Sequence, residues 1–297
     1  MKKLPMELRQ LEYFRMAARF RSITRAASAM GVSQPNISVA VQKLEISLGI
    51  TLFDRSQRQP VLTAEGENFL RRAAFALDAL EDAMREIEDF KNLDKGEIKI
   101  GIPPMIGAYL FPKICPGFGR KYPRLSLCLF EEGSAAVREM LERGELDFGV
   151  VILSDIPKAL DSFKVCESEL MACIPRDFSL ARKKSLSFRD FDGVNVIAMK
   201  EGSFIRHFLA DRFAAEGITP RIALESNQIE IIKRLAENGA GAAFLLDCVT
   251  GSSPGFSVRP FKKPVRFDIG LAWKKERYLS KAASAFMEFC RDSLAEK

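Results

Sequence analysis

The segment from Gln34 to Leu48 carries the most distinctive chemistry in this sequence. Its apolar residues recur at helical spacing, at Ile37, Ala40, Val41, Leu44 and Leu48. The face left over carries Gln34, Asn36, Ser38, Val39, Gln42 and Lys43. Amide and hydroxyl groups on one helix face can hydrogen-bond to the edges of base pairs. The segment therefore predicts a polar recognition surface rather than a catalytic one.

Positive charge is concentrated around this segment. Residues 1–62 hold ten basic and four acidic side chains, which leaves 35 of each sign in residues 63–297. Two of the basic groups, Arg55 and Arg58, fall in a polar stretch between the apolar residues Leu52 and Leu62. This pattern predicts a hairpin, or wing, whose tip contacts phosphate. Polyanion binding is therefore expected in the N-terminal part of the chain.

Other chemistries lack their usual residues. The chain has one histidine, His207, and six cysteines with no C-x-x-C spacing. No catalytic residue, metal site or cofactor is therefore expected, and Cys166 and Cys173 are interpreted as small core residues. With 47% hydrophobic and 28% charged residues and no membrane-spanning or signal segment, the chain is expected to be a cytoplasmic protein without a membrane partner.

Two short helices are predicted ahead of the polar segment. The first has the apolar stripe Leu8, Leu11, Phe14 and Ala18. The second covers residues 23–30, with Ser22 as its cap and Gly31 at its end. The third covers residues 34–48, with Ser33 as N-cap and Gly49 as terminator. Two helices joined by a tight turn, the second with a polar face, indicate a helix-turn-helix.

A long helix follows the wing, from Thr63 to about Asn92. Its apolar residues alternate spacings of three and four, as in a coiled-coil seam: Leu70, Ala73, Leu77, Leu80, Met84 and Ile87. About 30 residues would span roughly 45 Å, which favours a dimerising linker. The alternative is a helix packed under a domain.

From Glu97 short apolar strands alternate with helices, in two units of similar layout. Ligands of such folds bind beyond the carboxyl ends of the strands, in a cleft. Helix N-termini near this cleft favour a small organic anion. The candidate effector residues are Pro104, Met105, Ile106, Ser134, Ser203, Phe204 and Asn227. Ordinary helix capping is the alternative role for Ser134, Ser203 and Asn227.

The N-terminal residues resemble one known family, the LysR-type transcriptional regulators. The resemblance rests on "LRQLEYF" at residues 8–14, on "ITRAASAMGVSQPNISVAVQKLEISLGITLFDR" after it, and on "LTAEG" at residues 62–66. Later segments, "YPRLSLCLFEEGS", "GELDFGVVI" and "LAENGAGAAFL", resemble the effector domain of that family.

The resemblance implies a winged helix-turn-helix over residues 1–62, a linker helix over 63–95 and an α/β effector domain over 96–297. The last resembles periplasmic binding proteins, with one lobe of about 96–164 and 268–297 and a second of about 165–267. The implied partners are double-stranded DNA at a dyad-symmetric promoter site, a small-molecule effector, a second copy in a homodimer or homotetramer, and RNA polymerase.

The family's DNA contacts can be carried over residue by residue. Base-reading positions fall on Gln34, Pro35, Asn36 and Ser38, with Gln42 and Lys43 on the same face. Backbone contacts fall on Ser33, Arg25, Arg55 and Arg58. Two departures stand out. Val39 replaces a common basic residue and either touches a thymine methyl or packs inside, and the loop Pro103–Gly107 lacks a hydroxyl residue.

A second hypothesis remains open at this point. The α/β half would be a solute-binding or enzymatic module, and residues 1–95 would serve only for oligomerisation.

Overall fold

The computed structural model describes residues 6–54, 59–91, 96–251 and 254–295. The chain divides into two compact units, Met1–Glu88 and Asp89–Lys297. Within the described ranges, no helix is both long enough and apolar enough to cross a membrane.

Three short helices and a small hairpin begin the first unit. Its elements are α1 (Leu8–Phe20), α2 (Ile23–Ala29), α3 (Gln34–Leu48), β1 (Phe53–Asp54), β2 (Val61–Leu62) and α4 (Ala64–Lys91). Helix α3 has the predicted bounds, because Pro35 is tolerated in a first turn and Gly49 adopts the left-handed conformation that ends it. As predicted, the Ser22 hydroxyl caps α2 by accepting from the Arg25 N–H.

The predicted apolar stripe of α1 is wrong at Leu8, whereas Ala18 packs half-buried against the core. Leu8 is 47% exposed, and Ala17 rather than Ala18 is fully buried beside Leu11 and Phe14. A spacing of three from Phe14 places Ala17 on the line through Leu11 and Phe14, whereas Ala18 lies at its edge.

A buried carboxylate joins α3 to the hairpin of β1 and β2. Glu45 of α3 is 8% exposed. Its Oε1 accepts hydrogen bonds from the backbone N–H groups of Leu52, at 2.8 Å, and Phe53, at 3.2 Å. Backbone donors in a core need such partners, so Glu45 fixes where the wing starts relative to α3.

Helix α4 begins against the same core. The Thr63 hydroxyl accepts from the Gly66 N–H at 2.9 Å and so caps the helix. Gly66 lies so close to the Leu52 carbonyl that a Cβ would meet the oxygen at 2.1 Å. Glycine is therefore required in the "LTAEG" segment by close packing.

The predicted seam of α4 divides into two halves. Ala73 and Leu77 are buried in the hydrophobic core of the first unit, and Leu70 packs against this core. Arg15 of α1 holds this half through ion pairs to Asp78 at 3.2 Å and Glu81 at 2.6 Å. The other half is exposed, with Leu80 at 47%, Met84 at 65% and Ile87 at 54%.

The second unit is α/β. Its strands are β3 (Gly96–Ile102), β4 (Leu125–Glu131), β5 (Phe148–Ile152), β6 (Leu160–Pro175), β7 (Asn195–Ala198), β8 (Arg221–Glu225), β9 (Ala242–Leu246), β10 (Phe256–Pro260) and β11 (Arg266–Lys274). Its helices are α5 (Pro104–Lys121), α6 (Ser134–Glu142), α7 (Phe204–Glu216), α8 (Ile229–Glu237), α9 (Asp247–Thr250) and α10 (Lys281–Ala295).

Two long strands connect the halves of this unit. The strand order is β4-β3-β5-β11-β6-β9-β7-β8, with β10 paired to β6. Strands β3, β4 and β5 pair in parallel on one side, and β7, β8 and β9 on the other, while β6 and β11 run antiparallel between them. The sequence did not predict β6, a strand of 16 residues.

Two cores support the sheet. The larger one continues through both lobes, from Ile98 and Phe118 to Phe244 and Phe261. A smaller one, which includes Val137 and Leu141 of α6, covers the other face of the first lobe.

Removal of the Glu45 carboxylate should loosen the wing. We expect Glu45→Ala to lower the free energy of unfolding of the first unit by about 3 kcal/mol, because two backbone donors lose their acceptor. Glu45→Gln keeps an acceptor oxygen and should cost less than half of that. Thermal unfolding of the full chain, with amide hydrogen exchange at Leu52 and Phe53, measures both. Wild-type protection in Glu45→Ala would contradict this assignment.

Candidate functional site

Helix α3 presents the predicted polar face to solvent. Its inward side buries Ile37, Val41 and Leu44. All the side chains predicted to read bases or contact the backbone from this helix and its cap are exposed: Ser33, Gln34, Pro35, Asn36, Ser38, Gln42 and Lys43. Ser33 is the N-cap residue, but its hydroxyl makes no capping hydrogen bond.

Val39 lies on the exposed face as well. It is 48% exposed, so the alternative that it packs inside is wrong. Beside it runs a groove between α1 and α3, and both Arg9 and Lys43 line this groove. Arg9 stacks over the Tyr13 ring, and its Nε donates to the Tyr13 hydroxyl at 2.8 Å. The sequence interpretation missed Arg9, which the i, i+4 spacing to Tyr13 could have revealed.

Three arginines of the predicted DNA interface, Arg25, Arg55 and Arg58, do not belong to α3. Arg25 is exposed in the first turn of α2, with its guanidinium 5.4 Å from the centre of the Phe20 ring. Arg55 and Arg58 lie outside the described residues, between β1 and β2.

The predicted effector residues come together around one cavity between the lobes of the second unit. All seven line it: Pro104, Met105, Ile106, Ser134, Ser203, Phe204 and Asn227. Ile152, Met199 and Leu246 complete its apolar wall. Among the described residues, no ionisable side chain lines this cavity.

Three helices begin at the cavity wall. Helix α5 starts at Pro104, within the segment Pro103–Gly107 that the sequence predicted to be a loop, because proline is tolerated at a first helical position. Met105 and Ile106 are therefore helical and buried. Helices α6 and α7 start at Ser134 and Phe204.

Ordinary capping does not account for the three polar residues. Ser134 is the first residue of α6 and not its cap. Ser203 is the N-cap of α7 but makes no capping bond, and its hydroxyl donates to the Met199 sulfur at 3.3 Å. Asn227 precedes the cap of α8, and its side-chain oxygen accepts from the Lys200 N–H at 3.0 Å.

The cavity is small. Its volume is about 20 Å³, whereas pockets for small molecules measure roughly 300–1,000 Å³. Across the cleft the Leu246 N–H donates to the Met105 sulfur at 3.2 Å, and the Ala135 N–H donates to the Gly202 carbonyl at 3.3 Å. These two bonds join the two sides of the cleft in this conformation.

An open groove of about 1010 Å³ adjoins the cavity. Pro104, Gly133 and Asn227 line both spaces. Lys113 and three glutamates, Glu131, Glu132 and Glu230, also line the groove. The groove offers an entry path, but its mixed charges do not favour anions over cations.

The residues with redox or metal chemistry include one histidine and six cysteines. Within the described ranges no group of three metal-ligating side chains was found, and His207 is exposed on α7. The six cysteines are free thiols. Burial raises the pKa of Cys173 to about 12 and that of Cys166 above its usual value, which makes them poor nucleophiles. Cys173 is a core residue as predicted, whereas Cys166 is half-buried.

Comparison with known families covers almost the whole chain. The profile described as "Bacterial regulatory helix-turn-helix protein, lysR family" matches residues 8–67. The profile described as "LysR substrate binding domain" matches residues 91–295.

Individual relatives agree with these matches. The HTH-type transcriptional regulator YwbI of Bacillus subtilis is 32% identical, over 97% of both chains. A full-length OxyR variant from Pseudomonas aeruginosa has a TM-score of 0.64 at 27% identity, over 97% of both chains. Full-length CbnR in complex with its target DNA shares the fold, with a TM-score of 0.58 at 24% identity, over 97% of this chain and 100% of that one. These matches support the regulator over a solute-binding or enzymatic module.

Proposed function

The chain belongs to the LysR family of transcriptional regulators and is a DNA-binding regulator with an effector-binding domain. We propose that it binds a dyad-symmetric promoter site and responds to a small organic anion. In this proposal residues 1–62 bind DNA, residues 63–95 link two copies and residues 96–297 bind the effector. The lobes are about 96–164 with 268–297, and about 165–267. It acts in the cytoplasm, has no catalytic activity, and meets RNA polymerase at the promoter.

The exposed polar face of α3 carries the DNA-binding proposal. Gln34, Pro35, Asn36 and Ser38 project from the start of a helix whose other side is buried. Amide side chains there can make paired hydrogen bonds with adenine. Phosphate contacts come from Ser33, Arg25, Lys43, Arg55 and Arg58, while Gln42 lies on the base-reading face. CbnR, which shares the fold, was solved with its target DNA, and this supports the proposal.

The exposed half of α4 supports a pairing of two copies. Leu80, Met84 and Ile87 continue a stripe that is buried over Ala73 and Leu77. Apolar residues at alternating spacings of three and four bury themselves against a second helix with the same pattern. A two-fold pair of winged domains then matches a dyad-symmetric site, and a second pairing would give a tetramer.

The effector proposal rests on this small cavity. Helices α5, α6 and α7 begin at its wall, so the positive ends of their dipoles lie there. The absence of carboxylates from its lining, among the described residues, leaves these dipoles unopposed by negative charge. The apolar wall around Met105, Phe204 and Leu246 fits an acid with an apolar or aromatic body.

Regulation would follow from opening and closing of the cleft. An effector can shift a protein between two states only if it binds them with different affinity. Here the ligand has to replace the Met105 contact with Leu246 by contacts of its own. The resulting change in lobe geometry would alter how paired winged domains meet DNA.

Gln34→Ala tests base reading. We expect a loss of about 10- to 100-fold in discrimination at one base pair of each half-site, because a paired hydrogen bond disappears. Lys43→Ala is the contrasting variant and should weaken all sequences alike. Binding measured to sequence-randomised duplexes distinguishes the two patterns. An unchanged base preference in Gln34→Ala would show that α3 does not read the site as proposed.

Met84→Glu tests the pairing of copies. A charge in an apolar seam should weaken the dimer on the order of 100-fold. Ala79 is also exposed on α4 but lies off the seam, so Ala79→Glu should leave the dimer intact. Sedimentation velocity over a concentration series measures both variants. Equal sedimentation of the two variants would contradict pairing through α4.

Carboxylates and their uncharged amides test the effector class. We expect some small apolar carboxylic acids to raise the melting temperature of the full-length protein and their isosteric amides to have little effect, because the helix N-termini favour negative charge. Stabilisation by amides and acids alike would contradict an anion site.

Two glycine variants locate this binding in the cleft. A Cβ at Gly133 would lie 2.8 Å from the Gly202 carbonyl oxygen, whereas one at Gly119 would meet nothing within 4 Å. Gly133→Ala should therefore oppose closure and change the ligand-induced shift, and Gly119→Ala should preserve it. Identical shifts in the two variants would place the ligand elsewhere.

A further inference from the structure

Two methionines of the cleft accept hydrogen bonds from groups that line the candidate effector site. Met105 of α5 and Met199, which follows β7, both line the small cavity and are 3% and 6% exposed. The Met105 sulfur accepts from the Leu246 N–H at 3.2 Å. The Met199 sulfur accepts from the Ser203 hydroxyl at 3.3 Å. A thioether therefore stands at each of two hydrogen-bond donors in this site.

Sulfur is a poor partner for these two donors. A thioether is a weak hydrogen-bond acceptor, and buried backbone N–H groups normally pair with oxygen. The Ser203 hydroxyl makes no capping bond to α7, although it stands at the N-cap. The pairing of β9 with β7 covers Ala242 and Ala243, so Leu246 lies beyond it, at the carboxyl end of the strand. A carboxylate oxygen would bind both donors more strongly than sulfur does.

The two methionines also occupy the space that a ligand needs. The cavity of about 20 Å³ is close to the volume that one water molecule requires, so a carboxylate fits only if side chains of the wall move. Pro103 and Pro104 of the wall have rigid rings, and Ile152 is buried in β5. Methionine is unbranched and has three rotatable side-chain bonds. Met105 and Met199 are therefore the wall residues best able to make room.

The Met105 contact links ligand binding to the contact between the lobes. Leu246 and Ser203 belong to the proposed lobe of residues 165–267, whereas Met105 belongs to the other lobe. Met105 lies in Pro103–Gly107, the segment that departs from the family by carrying no hydroxyl residue. A ligand oxygen that takes the Leu246 N–H displaces the acceptor that the first lobe provides. The ligand and this contact therefore exclude each other, which gives the ligand different affinities for two states of the cleft.

We propose that Met105 and Met199 occupy the effector site until a ligand displaces them. Oxygens of the organic anion then accept from the Leu246 N–H and the Ser203 hydroxyl, while the methionine side chains turn aside and pack on its apolar body. This inference rests on the proposed binding of an organic anion, and it adds which donors hold the anion and which side chains yield to it.

Binding of benzoate and of benzamide to the full-length protein, measured by titration calorimetry, tests this inference. Met105→Ala and Met199→Ala each remove one sulfur and make room. Each variant should bind benzoate about 10-fold more tightly than the wild-type protein does, because the carboxylate no longer competes with the sulfur for a donor. Benzamide should gain much less, since its neutral oxygen is the weaker acceptor.

Met140→Ala is the matched control. Met140 packs half-buried against the smaller core of the first lobe, and it does not line the cavity. The same truncation there should leave the affinity for benzoate at its wild-type value.

Removal of the Ser203 hydroxyl separates the release of a donor from the gain of space. In a Ser203→Ala background, Met199→Ala still enlarges the cavity but frees no donor, so most of its gain in benzoate affinity should disappear. The gain from Met105→Ala should persist in that background, because this change acts through the Leu246 N–H.

Methyl signals of the wild-type protein give a readout that does not depend on the folding of a variant. With isotope-labelled methionine methyl groups, saturation with benzoate should shift the nuclear magnetic resonance signals of Met105 and Met199. The signal of Met140 should stay in place. Binding of benzoate without a shift at Met105 and Met199 would overturn the inference.

Failure of this inference is distinguishable from failure of the proposed function. If the wild-type protein prefers benzoate to benzamide and neither methionine variant strengthens benzoate binding, Met105 and Met199 do not occupy the site, while the proposed anion site stands. If neither the wild-type protein nor any variant prefers benzoate to benzamide, the anion proposal fails and this inference fails with it.

Discussion

The apolar stripe of α4 is the constraint on which the DNA-binding unit depends. Its first half, with Ala73 and Leu77, completes the hydrophobic core of the first unit. Its second half, with Met84 and Ile87, continues the same line and is exposed. Burial of a stripe of this kind is worth roughly 25 cal/mol for each Å² removed from water. In the proposed dimer, the helix that stabilises one winged domain therefore also binds the same helix of a second copy.

A few polar contacts position the functional surfaces on this framework. The Glu45 carboxylate fixes the wing to the recognition helix through two backbone N–H groups. Arg15 fixes α4 to α1 through Asp78 and Glu81. These contacts are buried or half-buried, so they hold their geometry better than exposed ion pairs. The polar face of α3 can then remain exposed without losing its orientation.

The sequence predicted local features better than long-range ones. Helix α3 was predicted at its observed bounds because Ser33, Pro35 and Gly49 mark its ends by local chemistry. Strand β6 was missed because polar residues interrupt its apolar pattern, and its partners β9, β10 and β11 lie far along the chain. All seven predicted effector residues line one cavity. The hydrogen bond across the cleft joins the Met105 sulfur to the Leu246 N–H, which is 141 residues away in sequence, and local patterns do not predict such a contact.

Selection of bound fragments from random and genomic duplex DNA, with the full-length protein at physiological salt, tests the central claim most directly. The account predicts one recovered sequence with two half-sites related by a dyad, because paired α4 helices present two copies of α3. Recovery of a single asymmetric half-site would contradict pairing through the seam. Recovery of no preferred sequence would contradict base reading by the face that begins at Gln34.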